Sequence, residues 1–202
     1  MKWIGLTGGI ATGKSTVTGL IESRGYVVID ADHISHELTR LAEPGYNQIV
    51  SHFGNDILDT SLRIDRKKLG QIIFSSPEQK KALEAILHPL IQERVQELKE
   101  HHQARGASVL FYDVPLLFEN NLASQFDAVL MIWCQEEIQL QRLMKRNNLT
   151  QAEAEARMNA QMPMTEKIRK STYCIDNSGS EFELIMAVDT FLQQLTGRAL
   201  VL

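Results

Sequence analysis

The chain has 202 residues, 44% of them hydrophobic, with 25 acidic against 21 basic side chains and a formal charge of −4. That is the size of one α/β domain with room for an inserted subdomain and a sizeable core, which makes disorder a poor default. The acidic balance leaves no global basic field for a nucleic-acid backbone, so phosphate recognition must be local, and no run approaches the roughly 18 apolar residues of a membrane span.

The first predicted element is a buried strand over residues 2–6. It runs into Gly8-Gly9-Ile10-Ala11-Thr12-Gly13-Lys14-Ser15, which fits G-x-x-x-x-G-K-[ST], and then into a predicted helix over 15–23. Between a strand and a helix this pattern is a phosphate cradle. Backbone N–H groups from Gly9 through Gly13, with Ala11 and Thr12 between them, converge on a triphosphate such as ATP. Lys14 supplies a point charge at the β and γ positions, and Ser15 and Thr16 open a helix whose dipole favours anions. The Ser15 hydroxyl would complete Mg²⁺ coordination. A plain Gly-rich turn is the alternative.

A second strand over 26–29 ends at Asp30-Ala31-Asp32. Carboxylates at the carboxyl end of a strand face the ligand crevice in an open α/β sheet. If the backbone stays extended, Asp30 and Asp32 share a face, and one of them can take a proton from an attacking hydroxyl or hold Mg²⁺ through water. The competing reading is that Asp32 only caps a helix beginning at His33.

The stretch from there to the third strand is too long for one crossover helix. Helical patterns cover 33–41, 44–53, 66–74 and 77–103, with Pro44 and Pro77 suited to first turns. His88-Pro89 should break the last pattern, with His88 capping a new helix from Pro89. Residues 33–103 are therefore a helical insertion. A third strand over 108–112 is followed by Asp113-Val-Pro-Leu-Leu-Phe-Glu119, where Asp113 has the placement of a Walker-B carboxylate. A turn carboxylate with no ligand is the other reading, and Glu119 reads equally well as a solvated helix end.

After a fourth strand over 128–133, residues 136–170 form a polar excursion of two charged helices hinged near Asn147-Asn148, the second started by a Thr150–Glu153 capping box. Arg142, Arg146, Arg157 and Arg169 lie on it. A closing lid that carries arginines neutralises a transferring phosphoryl group, whereas ordinary charged helices are solvated faces. A fifth strand covers 173–175. Cys134 and Cys174 form neither a C-x-x-C pair nor a metal cluster and read as small core residues of a reducing compartment. The expectation is a cytoplasmic protein with no nucleic-acid, membrane or obligate protein partner.

Strands alternating with helices predict a three-layer P-loop NTPase fold. It has a five-stranded parallel sheet, a single kinase domain over 1–202, an acceptor-binding insertion over 33–103 and a lid over 136–170. A GTPase switch would carry N-K-x-D and D-x-x-G elements, and neither is present. Core, insertion and Arg-bearing lid are the plan of a small-molecule kinase.

Taken together, GLTGGIATGKST, VIDAD, LHPLI, DVPLLFE and IDNSG, in this order and across nearly the whole chain, resemble the dephospho-coenzyme A kinase family. The resemblance implies transfer of the ATP γ-phosphate to the ribose 3′-hydroxyl of dephospho-coenzyme A with Mg²⁺. It also implies Asp32 as the base, Lys14 and Ser15 serving nucleotide and metal, and Arg142 or Arg146 reaching the transferring phosphoryl group. Asn177 is the candidate contact beside adenine, and His88, Asp113 and Leu116 are further substrate candidates. Another P-loop kinase with a nucleoside or nucleotide acceptor is the alternative, followed by a P-loop ATPase. The family's loop usually reads GGIGSGKS, and here Ala11 and Thr12 replace Gly and Ser. The expectation is that position 11 does not require a positive φ and that binding survives the alanine.

Overall fold

The structure is a computed structural model that describes residues 1–197. In chain order it runs β1 (Lys2–Gly8), α1 (Lys14–Ser23), β2 (Val27–Asp30), α2 (Ala31–Leu38), α3 (Pro44–Phe53), α4 (Arg66–Ser75), α5 (Pro77–Ala104), β3 (Val109–Asp113), β4 (Ala128–Trp133), α6 (Glu136–Asn147), α7 (Gln151–Asn159), α8 (Met164–Lys170), β5 (Tyr173–Asp176) and α9 (Glu181–Thr196). The chain forms two compact units, one from Met1–Ile29 together with the chain from Gly106 on, the other Asp30–Arg105.

The five strands lie in the order β2-β3-β1-β4-β5, and β1 pairs in parallel with both β3 and β4. The register places Leu6 opposite Asp113, Gly8 opposite Ile132 and Trp133 opposite Asp176. The carboxyl ends of β1, β3, β4 and β5 therefore come level along one edge, where such sheets bind ligands. Strands β1 and β4 are buried almost throughout because both faces are covered. On one face Ile4 and Leu6 pack with Val17 and Ile21 of α1 and with Leu184, Val188 and Leu192 of α9. Each such side chain contributes about 1.5–3 kcal/mol. On the other face Trp3 stacks on Tyr112 and Phe126, with ring centroids 5.5 and 5.8 Å apart. Gly5 makes that closure possible, since a Cβ there would sit 2.7 Å from Leu117 Cδ1.

Two helices of this unit, α8 and α9, go beyond the sequence reading. Helix α9 carries a complete Ser180–Glu183 capping box, the same signal that marked α7 at Thr150. Cys134 is buried as expected, but Cys174 is exposed. It lies on β5, which ends the sheet and buries only Ile175.

In the second unit α2, α3 and α4 pack against α5, and Ile49, Ile57 and Leu69 form a buried cluster closed by Phe53, Leu83, Ile86 and Leu87. Helix α5 continues unbroken through Pro89 for 28 residues, which corrects the expected break. An interior proline costs a helix about 3 kcal/mol. The three helices packed along α5 supply the tertiary support that overrides this local penalty. His88, exposed within α5, consequently caps nothing.

Candidate active site

The loop between β1 and α1 is fixed by its own groups. Thr12 is fully buried; its N–H and its hydroxyl both donate to the Gly9 carbonyl, at 3.2 and 2.9 Å. Thr12 thus shapes the cradle from inside. Gly13 stands at φ 92° as the residue before α1 and offers no side-chain cap. No acidic residue occupies the first turn of α1. The first amides of the helix therefore point out without a side-chain acceptor, an arrangement that suits an anion. The exceptions are the Thr16 and Val17 N–H groups, which turn back to the Gly13 carbonyl at 3.0 and 3.3 Å. Ser15 and Thr16 are exposed on that turn.

Ala11 has φ 61°. This overturns the expectation that position 11 avoids positive φ, and it explains why glycine suits the position: the left-handed region costs an L residue with a Cβ roughly 1–2 kcal/mol. The loop accepts the alanine and adopts the left-handed turn nonetheless.

Under the loop lies Asn177, only 8% exposed, whose Nδ2 donates to the Thr12 carbonyl at 2.8 Å. Its main-chain carbonyl accepts from Arg142 Nη1 at 3.0 Å. Arg142 also lies against Cys134, whose thiol burial pushes up despite that positive neighbour. Arg146, by contrast, is exposed and donates to Asn147 at 2.9 Å, while Arg157 and Arg169 are exposed on α7 and α8. Of the four arginines, only Arg142 is tied to a residue that touches the loop.

Beside the loop, Lys14 Nζ pairs with Asp113 Oδ1, and the Thr18 hydroxyl donates to Asp113 Oδ2 at 3.2 Å. Asp113 is 2% exposed at the end of β3. The segment after it is stitched to β1, with Val114 N–H on the Leu6 carbonyl at 2.9 Å and the Thr7 hydroxyl on the Pro115 carbonyl at 3.1 Å. Leu116 projects from that segment, 42% exposed.

Glu119 is neither solvated nor a helix end. One of its oxygens accepts from Met162 N–H at 3.1 Å and meets Lys167 Nζ at 2.7 Å, with Lys167 1% exposed. Its second oxygen is buried without a partner. Burial pushes the Glu119 carboxyl up, but the Lys167 ammonium and the backbone amides hold it below the usual glutamate range. Sequence reasoning missed Lys167, and it also missed Gln139 and Gln161, which touch the loop at Ile10. None of the three belongs to a motif whose spacing signals a contact, so their roles are visible only in three dimensions.

In the second unit, Asp30 rather than Asp32 caps α2. The backbone does not stay extended past β2, because α2 begins at Ala31, and Asp30 Oδ1 accepts from the N–H groups of Asp32 and His33 at 2.8 and 3.0 Å. Asp32 is left exposed in the first turn. Among the described residues no cluster of three or more His, Cys, Asp or Glu side chains could cage a metal, and no helix is long and apolar enough to cross a membrane.

Against known proteins, a family model described as dephospho-CoA kinase matches residues 2–183. The dephospho-CoA kinase of Geobacillus kaustophilus is 44% identical over 191 residues, 95% of each chain. Among solved structures, TT1252 from Thermus thermophilus superposes with a TM-score of 0.81 at 34% identity, covering 97% of this chain and 98% of the other. The dephospho-CoA kinase from Campylobacter jejuni superposes with a TM-score of 0.73 at 30% identity, covering 96% and 97%.

Proposed function

The chain belongs to the dephospho-CoA kinase family, and from that premise we propose how its own residues carry out the ATP-dependent phosphorylation of dephospho-CoA to coenzyme A. The observation that carries the reading is the loop from Gly9 to Ser15, shaped by Thr12 and Asn177 in front of an uncapped helix. This loop takes the ATP phosphates on its backbone amides, and Lys14 exchanges Asp113 for the β and γ oxygens. Asp32 accepts the proton of the ribose 3′-hydroxyl as that oxygen bonds to Pγ. The bond from Pγ to the bridging oxygen breaks, and ADP leaves. What supports Asp32 in this role is that Asp30 has taken over the cap, so the Asp32 carboxylate has no helix amides to satisfy. The protein's contribution is mainly positioning and charge stabilisation, because a loose phosphoryl-transfer transition state asks for little covalent chemistry.

Arg142 donates to the Asn177 main-chain carbonyl, hydrogen-bonds to Cys134, and keeps further N–H donors for the transferring phosphoryl group. Asn177 serves from beneath the loop through Nδ2, which is directed at Thr12, in addition to the contact beside adenine that the family resemblance implies. The donor set suits Mg²⁺, which keeps several waters and phosphate oxygens and needs few protein ligands. Ser15 would hold it directly and Asp113 through water, and the ion would neutralise charge on the β and γ oxygens. We assign the acceptor to the Asp30–Arg105 unit, with His88 on it, keep Leu116 as a further substrate candidate, and assign the lid to residues 136–170. Acceptor chemistry and cysteine usage favour a cytoplasmic enzyme with no obligate protein or nucleic-acid partner.

The test is an ADP-release assay with dephospho-CoA, adenosine, AMP and gluconate as parallel acceptors. Turnover with dephospho-CoA alone is expected. Turnover with AMP and none with dephospho-CoA would move the chain to a nucleotide acceptor, and hydrolysis indifferent to every acceptor would make it an ATPase.

A further inference from the structure

Two glutamines that the phosphoryl transfer does not use grip the loop at one residue. Gln139 on α6, 5% exposed, donates from Nε2 to the Ile10 carbonyl at 2.8 Å. Gln161, between α7 and α8, accepts from the Ile10 N–H at 2.9 Å through Oε1. Both backbone groups of Ile10 are thereby held from the helical segment that follows β4. The turn carrying Gln161 is itself anchored, since Glu119 holds the N–H of the next residue, Met162, and pairs with Lys167 of α8. The fit is close: a Cβ on Gly9 would lie 2.7 Å from Met164 Cε and 2.9 Å from Gln139 Nε2.

The gripped residue is the one before Ala11. The Ile10 carbonyl belongs to the peptide unit that joins Ile10 to Ala11, so rotating Ala11 out of its φ of 61° swings that carbonyl away from Gln139. A glycine would hold the left-handed turn unaided, whereas an alanine tends to leave it. We infer that Gln139 and Gln161 are positioning residues for ATP, which keep the Ile10–Ala11 peptide in the orientation the triphosphate needs and so offset the alanine in the loop. This rests on the reading of the loop as the ATP site. It gives the helical segment after β4 a second means of acting on the nucleotide, through the loop's backbone.

The experiment is a set of double-mutant cycles on the full chain, reading the Kd of a non-hydrolysable ATP analogue with Mg²⁺ by calorimetry and the KM for dephospho-CoA. Gln139→Met and Gln161→Met keep the length of the side chain and remove its hydrogen bond. In the native loop Gln139→Met should weaken the analogue about tenfold and Gln161→Met about three- to tenfold, the range for the net contribution of one hydrogen bond. The KM for dephospho-CoA should stay within about twofold. In an Ala11→Gly background each loss should shrink below about threefold, because the loop then needs no grip. Equal losses in both backgrounds would overturn the inference, as would no loss in the native loop. Should Gln139→Met fail to fold, the Gln161→Met cycle decides alone. A native chain that does not bind the analogue would overturn the functional reading, and the inference with it.

Discussion

Gly13→Ala tests the architecture of the loop most directly. Gly13 has φ 92°, and a Cβ built on it lies 2.0 Å from Asn177 Nδ2. Two penalties follow. The left-handed conformation costs an alanine about 1–2 kcal/mol. The clash cannot be relieved cheaply either, because Asn177 is 8% exposed and its Nδ2 is bound to the Thr12 carbonyl at 2.8 Å. Pushing that amide aside leaves a buried donor and acceptor unpaired, about 1–3 kcal/mol. The sum, about 2–5 kcal/mol, corresponds to a fall in Tm of roughly 5–15 °C for a chain of this size. Urea unfolding of Gly13→Ala, Asn177→Ala and the double variant separates the parts. With Asn177 cut back the clash disappears, so adding Gly13→Ala should then cost only the conformational part. A cost below about 1 kcal/mol in the native background, or the same cost in both backgrounds, would refute the claim that Asn177 is the residue that excludes a Cβ at position 13.

Asp32→Asn should lower turnover by roughly a hundredfold or more with little change in ATP affinity, as loss of a general base does, and steady-state kinetics at saturating ATP would read it. Ser15→Ala should raise the Mg²⁺ concentration needed for half-maximal turnover by about tenfold, and chelation of divalent ions should abolish turnover in the native chain; a metal titration checks both. The Glu119 carboxyl is held below its usual range in the folded chain, so at acid pH the unfolded state binds the extra proton first. The ion pair's contribution is therefore complete above about pH 4.3 and fades as pH falls through the lowered folded value. Unfolding free energies measured across that window should show a steeper acid loss in the native chain than in Glu119→Gln.

Strands β1, β3 and β4 were legible because each is a short apolar run that has to be buried on both faces, and α1 and α7 because their starts are written in local motifs. Pro89 misled because local propensity argues for a break, whereas the decision belongs to three helices packed on α5. The P-loop was legible as chemistry but not as conformation: nothing in ATGKS reveals that Ala11 stands at φ 61°. Asp32 emerged as the uncommitted carboxylate only once Asp30 was seen to hold the N–H groups of residues 32 and 33. Gln139, Gln161 and Lys167 lie 129, 151 and 48 positions from their partners, beyond any local signal. For Lys167 the figure is 167 − 119, and its burial at 1% exposure runs against what its residue type leads one to expect.

The pairing of Lys14 with Asp113 means that the loop carries its own counter-ion. An incoming phosphate does not meet a bare ammonium; it must displace a carboxylate that Thr18 also steadies. A small monovalent anion offers Lys14 little that Asp113 does not already give. A triphosphate brings several charges at once, reaches the helix amides in the same step, and can repay the separation of the pair with many contacts. On the proposed reading, the Asp113 carboxylate would then face the nucleotide's metal through water. On that reading, recognition at this loop is an exchange of ion partners, which sets a threshold of charge below which a ligand gains nothing by entering.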